Sequence, residues 1–246
     1  MKISIVIPVL NSHEVLRRQL LYMEGFIQGD TEIIIVDDGS DPPLEYSGKL
    51  PLKFIRTNDT RPWTWALARN RGAREATGEW LVMFDLDHII TPELLDTVRG
   101  YDGDKVGFSR QFGVLTEEGK LSQDIDTLIK YGFPKERLRR KGLKITALPN
   151  NFAMKKKVFW DIGGYREDLV ERPYPQGEDR NFKKSWCNWE RENNGKYYEI
   201  RPITYMFPNG YKCGDFHVDF NPFNLFHTLT RATRRNYWHR KKRVKK

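Results

Sequence analysis

The chain of 246 residues is 39% hydrophobic and carries 42 Lys or Arg against 33 Asp or Glu, a formal net charge of +9. That length supports one domain with a sizeable core, and its two isolated cysteines, Cys187 and Cys213, exclude both a disulfide scaffold and a cysteine metal site. Asn221 to Lys246 holds nine Lys or Arg and no acid, so 42 minus 9 leaves 33 cations against 33 anions in residues 1–220, and the basic character excludes nothing about the body.

Lys2 to Val9 is β-branched and apolar, the pattern of a strand buried on both faces of a parallel sheet, with Pro8 near its end. Asn11-Ser12 can cap a helix from His13 to near Ile27, with Val15, Leu16, Leu20, Met23 and Ile27 at helical spacing. Glu32 to Val36 reads as a second buried strand that runs into Asp37-Asp38-Gly39-Ser40, and Leu52 to Ile55 as a third. After a polar loop from Arg56 to Trp63, Thr64 can cap a helix closed by Gly78. Trp80 to Phe84 is a fourth buried strand, and it ends in Asp85-Leu86-Asp87-His88 before a helix start at Thr91-Pro92. Strands alternating with helices predict a doubly wound α/β sheet.

Beyond Gly100 the pattern weakens. It predicts a strand over Lys105 to Val114 and a helix over Gln123 to Leu138 broken at Gly132-Phe133-Pro134. Arg139-Arg140-Lys141 reads as a solvated loop, and Ile145 to Leu148 as a return to the sheet. Helices follow at Lys155 to Ile162, stopped by Gly163-Gly164, and at Glu178 to Asn193. Short strands are predicted at Tyr197 to Ile200 and Ile203 to Phe207, and an amphipathic helix from Pro222 to Tyr237. No apolar run approaches the roughly 18 residues of a spanning helix and no leader pattern opens the chain, so the expectation is a cytoplasmic protein, peripheral to a membrane at most.

Two strands end in acidic pairs. A buried strand cannot hold charge in its interior, so Asp85 and Asp87 belong at its C-terminal edge, where open α/β sheets bind ligands. Residues i and i+2 point the same way, and hard oxygen ligands suit Mg²⁺ or Mn²⁺. The bland alternative is a solvated turn before the next helix. Asp37 and Asp38 could accept from a ribose hydroxyl or base N–H, or could simply build a turn with Gly39.

These pieces form an ordered set: Ile5-Val6-Ile7-Pro8 with Asn11, Val36-Asp37-Asp38-Gly39-Ser40, Ala68-Arg69-Asn70-Arg71-Gly72 with Ala76 and Gly78, Asp85-Leu86-Asp87, Ile162-Gly163-Gly164-Tyr165 and Gly177-Glu178-Asp179. In order and spacing the set resembles the family 2 (GT-A) glycosyltransferases over residues 1 to about 185. The resemblance implies a GT-A-type, Rossmann-like, mixed but mostly parallel sheet flanked by helices. It divides the chain into a catalytic domain over 1–220, with a nucleotide-sugar half (1–100) and an acceptor half (101–220), and a basic, helical tail over 221–246.

The implied activity is metal-dependent transfer of a sugar, with inversion, from a nucleoside-diphosphate donor, a UDP-sugar first, to a hydroxyl of a glycan, lipid-linked or protein acceptor. Asp37 and Asp38, with Pro8 and Asn11, take the nucleoside. Asp85 and Asp87 hold Mn²⁺ or Mg²⁺ across the pyrophosphate, His88 departs from the commoner acidic residue, and His217 is a late candidate ligand. Arg61 and Arg69 are candidates for the pyrophosphate. Asp179 is the expected general base and Glu178 the residue that orients the acceptor. Trp63, Trp65 and Trp186 could stack on sugar faces or pack in the core. The tail over 231–246, basic and aromatic, could be a disordered solubilising end or could suit an anionic membrane surface; nucleic acid is less suited, because the body is neutral. A nucleotidyl enzyme on a similar sheet is the remaining alternative.

Overall fold

Side chains alternate across a strand, so a strand apolar at every position must be covered on both faces. The computed structural model, which describes residues 1–59, 64–133, 135–145, 151–171, 177–206, 212–213 and 216–217, shows that arrangement. The first half runs β1 (Ile3–Val9), α1 (His13–Met23), β2 (Thr31–Asp37), β3 (Leu52–Arg56), α2 (Trp65–Glu75), β4 (Trp80–Met83), β5 (His88–Ile89) and α3 (Pro92–Arg99). Next come β6 (Lys105–Phe112), β7 (Val114–Leu115), β8 (Leu121–Ser122), α4 (Ile125–Lys130), α5 (Lys135–Lys141) and β9 (Lys144–Ile145). The remainder is β10 (Phe152–Lys155), α6 (Lys156–Asp161), a 3₁₀ turn (Glu167–Glu171), α7 (Glu178–Asn193), β11 (Tyr197–Met206), β12 (Lys212–Cys213) and β13 (Phe216–His217).

Ile3, Ile5, Ile7 and Val9 face one layer with Leu16, Leu20 and Met23 of α1 and Leu94, Leu95 and Val98 of α3. Val6, Ile34, Val36, Leu81 and Met83 face the other, with Ala66, Ala68 and Ala73 of α2 and Phe159, Phe182 and Trp186 beyond them. Among the described residues the main sheet orders its strands β3-β2-β1-β4-β10-β6-β11-β5, with β9 on β6. β1, β2, β3, β4, β6 and β11 run one way, while β5, β9 and β10 oppose them. The sheet is therefore mixed but mostly parallel. The C-terminal ends of β1, β2, β4 and β6 share one edge, and β10, being antiparallel, brings its start to that same edge.

The weaker second half differs from expectation in specific ways. The predicted broken helix is the pair α4 and α5, and Arg139, Arg140 and Lys141 form the last turn of α5, where cations complement the helix dipole. Strand β10 occupies residues expected to lie between the sheet return and a helix, and α6 starts only at Lys156. The two predicted late strands are one, β11, with a register shift between Glu199 and Ile203. The predicted helix at 222–237 and the rest of the tail lie outside the described residues. No described helix is long and apolar enough to cross a membrane. Trp186 is buried, stacked on Trp189 at 5.5 Å, and so serves the core.

Two positions give tests of this packing. A Cβ on Gly72 of α2 would lie 2.3 Å from Val6 Cγ1 and 3.0 Å from Val36 Cγ2, so only glycine lets α2 sit this close to the sheet. Gly72→Ala is expected to lower unfolding free energy by about 1–3 kcal/mol with an unchanged m-value in urea. Lys105, at the opposite sheet edge, sits 5.0–5.8 Å from the ring centroids of Trp186, Phe152, Tyr197 and Phe182. Burial pushes its amine down to about 8, against the opposing pull of Cys187 and Glu190. The unfolded chain then holds more protons than the native one between about pH 8 and the usual lysine value. Stability attributable to this group rises with pH across that window. Lys105→Met should abolish the rise, on the order of 1–3 kcal/mol, in denaturant titrations at pH 7 and pH 10.

Candidate active site

The corner where β1 and β2 end is built by Asn11, Asp37 and Asp38. Asn11 takes a left-handed conformation, φ 50°. Its backbone N–H donates to Ser40 Oγ at 2.9 Å, and its Oδ1 accepts from the Asp41 N–H at 2.7 Å. Pro8 pairs in register with Val36 one step before this corner. Asp37 Oδ1 accepts from the Gly39 and Ser40 N–H groups at 3.1 and 2.6 Å, and Oδ2 accepts from Arg56 Nη1 at 3.2 Å. Asp37 therefore braces the turn. Asp38, 1% exposed, accepts from the Thr57 hydroxyl at 3.0 Å and from the Thr64 hydroxyl, each on a different oxygen. Arg61 and Trp63 lie outside the described residues. Arg56, which also donates to the Ser40 carbonyl at 2.9 Å, is the described arginine that reaches this corner.

The second corner lies where β4 ends. Asp85 donates its N–H to Asn151 Oδ1 at 2.8 Å and accepts on Oδ1 from Arg69 Nη2. Arg69, on α2, is 3% exposed and lies 5.2 Å over the Tyr165 ring. Burial opposes its charge, but Asp85, Asp179 and Glu178 hold the guanidinium well above its ordinary pKa, so it stays a cation. Tyr165 in turn is held by Asn70. Asn70 donates Nδ2 to the Tyr165 carbonyl at 2.7 Å and accepts from the Tyr165 N–H at 2.9 Å. Arg69 Nε and Nη1, Tyr165 Oη and Asn151 Nδ2 are buried and find no hydrogen-bond partner among the described residues.

Asp87 is half exposed, and its Oδ1 lies 2.6 Å from His88 Nδ1. Desolvation opposes its charge, yet His88 and Arg110 hold the carboxyl below the usual aspartate value. Glu178 and Asp179 open α7 behind Gly177, which caps it at φ 90°. Glu178 is buried and Asp179 half-buried.

Of the residues predicted from sequence, Asp85, Arg69, Glu178 and Asp179 form one electrostatic group, Asp87 adjoins it, and Pro8, Asn11, Asp37 and Asp38 form the neighbouring corner. His217 is described only as backbone, in β13 paired with Lys212. Sequence reading missed Asn151, Tyr165, Asn70 and Arg110. Asn70 and Tyr165 stood inside quoted motifs, but nothing in a motif says that one clamps the other. The donor set suits a divalent cation: Asp85, Asp87 and His88 offer atoms within 4.8 Å of one another, two of them hard carboxylate oxygens.

The family described as Glycosyl transferase family 2 matches residues 4–163. A dolichol-phosphate mannosyltransferase of Pyrococcus furiosus is 34% identical over 101 residues, covering 39% of this chain and 28% of that protein. A cholesterol galactosyltransferase of Borreliella burgdorferi is 31% identical over 100 residues, again 39% and 28%. The matched stretch thus spans little more than a quarter of each relative. Among solved structures, TarS of S. aureus, residues 1–349, superposes with a TM-score of 0.52 at 18% identity, over 86% of this chain and 59% of that one. The same TarS segment in complex with UDP gives 0.50 at 20% identity, with the same coverage. At this identity the likeness speaks for the fold.

The two aspartates should differ in what they do for stability. Asp85→Ala strands a buried guanidinium and is expected to cost about 3 kcal/mol, whereas Asp87→Ala removes one half-exposed hydrogen bond worth about 1 kcal/mol. Equilibrium unfolding of the two variants checks the difference.

Proposed function

The chain belongs to glycosyl transferase family 2, and from that membership we propose that it moves a sugar, with inversion, from a nucleoside-diphosphate donor, a UDP-sugar, to an acceptor hydroxyl. One observation carries the reading: Arg69 lies within the field of both acidic motifs, Asp85 and Glu178–Asp179, at the edge that also holds Asp38. A leaving diphosphate and an acceptor hydroxyl would meet there, and inversion is taken from the family resemblance.

In this reading Asp38, with Pro8, Asn11 and the Asp37-braced turn, takes the nucleoside. The oxygens of Asp85 and Asp87 not held by Arg69 and His88 would hold Mn²⁺ or Mg²⁺, and His217 is a further proposed ligand. When bound, such a cation supplies Lewis-acid stabilisation of the departing diphosphate. Arg69, and Arg61 from its loop, supply positive charge toward the phosphates. Asp179, in the first turn of α7, is the base that takes the acceptor proton. Glu178 orients the acceptor. Residues 1–100 serve the donor and 101–220 the acceptor. The relatives named for dolichol phosphate and cholesterol support a lipid or lipid-linked acceptor over a glycan or protein one. The basic tail, 231–246, would hold the protein against an anionic membrane surface on the cytoplasmic side, each charge contributing about 1 kcal/mol.

Nucleotide release from a panel of sugar nucleotides, with Mn²⁺ and with EDTA, tests the assignment. We expect turnover of one UDP-sugar, lost with EDTA and in Asp87→Ala. Asp179→Asn should cut kcat by about 100-fold or more while leaving UDP affinity unchanged. Absence of both turnover and metal-dependent UDP binding by calorimetry overturns the reading.

A further inference from the structure

We propose that Arg110 and His88 form a two-residue positioning chain that orients Asp87 and withholds His88 itself from the cation; this rests on the reading above that Asp87 is a cation ligand. His88 is 1% exposed and follows the acidic pair directly. Its Nε2 lies 3.3 Å from Arg110 Nη1. A guanidinium only donates, so Nε2 is the acceptor. A neutral imidazole carries one proton, which therefore sits on Nδ1. Nδ1 lies 2.6 Å from Asp87 Oδ1, and a carboxylate only accepts. The direction of each bond is thus fixed: Arg110 to His88, His88 to Asp87. A ring protonated on both nitrogens would face the guanidinium donor to donor. Phe84, edge-on to the imidazole at 6.2 Å and 87°, braces the ring.

Neither imidazole nitrogen then has a lone pair to offer. Although Asp85, Asp87 and His88 cluster within 4.8 Å, only the two carboxylates can ligate. Asp87 Oδ1 is committed to His88, and its second oxygen remains for the cation. Arg69 treats Asp85 in the same way, by taking Oδ1. Each aspartate of the motif is thus held at one oxygen by a buried donor, one anchored in α2 and the other by way of Arg110 in β6. His88 departs from the acidic residue commoner at this position in the resembled family.

The first test uses metal-free protein labelled with ¹⁵N-histidine. The His88 signals, identified among the five histidines by their loss in His88→Asn, should show a protonated Nδ1 and an unprotonated Nε2. Arg110→Met should shift the Nε2 signal, which loses its hydrogen bond, while Nδ1, still held by Asp87, keeps its proton. The second test is Mn²⁺ binding, read by electron paramagnetic resonance in the presence of UDP. His88→Ala should weaken Mn²⁺ by about 10- to 100-fold, as losses of outer-shell partners do. His88→Asn, whose Nδ2–H can donate from near the imidazole Nδ1 position, should stay within about threefold of wild type. An Nε2–H tautomer in the wild type overturns the proposal, as does His88→Ala binding Mn²⁺ like the wild type while Asp87→Ala does not. If Asp87→Ala also binds normally, the parent reading fails and the chain's role toward a cation falls with it, while the tautomer still judges the Arg110–His88 contact. Should His88→Ala not fold, the Asn variant and the tautomer carry the test.

Discussion

A guanidinium 3% exposed is unfavourable unless carboxylates surround it, and carboxylates gathered at a sheet edge repel one another unless a cation lies among them. Arg69 and Asp85 meet both conditions at once. The pair also ties together elements far apart in sequence, because Arg69 sits on α2, Asp85 follows β4, Tyr165 follows the Gly163-Gly164 turn, and Asp179 opens α7. Removing either partner leaves the other charge in a place from which water is largely excluded. The ion pair depends in turn on how closely α2 seats against β1 and β2, and that is set by Gly72, three residues after Arg69.

Four aspartates lie at one edge, yet their surroundings divide them. Asp37 has both oxygens in a turn and an arginine contact, so it shapes the corner. Asp38 is equally buried but accepts from threonine hydroxyls, which can be exchanged for other hydroxyls with little electrostatic change. Asp85 is neutralised by Arg69. Asp87 alone of the four is half exposed, and its charge is held by neighbours rather than consumed. Identical side chains thus separate into a brace, a hydroxyl acceptor, an ion-pair partner and an outward-facing carboxylate, through local geometry alone.

The first half of the fold was legible because buried parallel strands announce themselves as continuous β-branched runs, and because charges at their ends have only one place to go. Asp38, Asp85, Asp87 and Asp179 were singled out on that basis and on the ordered motifs. Strand β10 was not found. It has four residues, it pairs antiparallel between β4 and β6, and its register is set by partners about 45 to 75 positions away, which no local period records. Asn151 was missed with it. His88 was noticed as unusual, but its contact with Arg110, 22 residues on, was not, because no spacing rule joins a residue before a helix to one on the following strand.

That miss has a topological cause which also explains the division of labour in the site. β1, β2 and β4 deliver their ends to one edge, which gathers there the residues just past a strand: Asn11, Asp38, Asp85 and Asp87. The second half approaches the same edge from the other direction. β10 delivers its start, with Asn151 in front of it, and α7 delivers its N-terminus, with Glu178 and Asp179. Strand ends gather side chains that need an opposing cation, whereas a helix start supplies unpaired N–H groups and a positive dipole end. Facing one against the other sets the positive end of a helix opposite a crowd of carboxylates. Arg69 and Arg110 complete the balance from within, and the open oxygen of Asp87 is where the remaining negative charge faces outward.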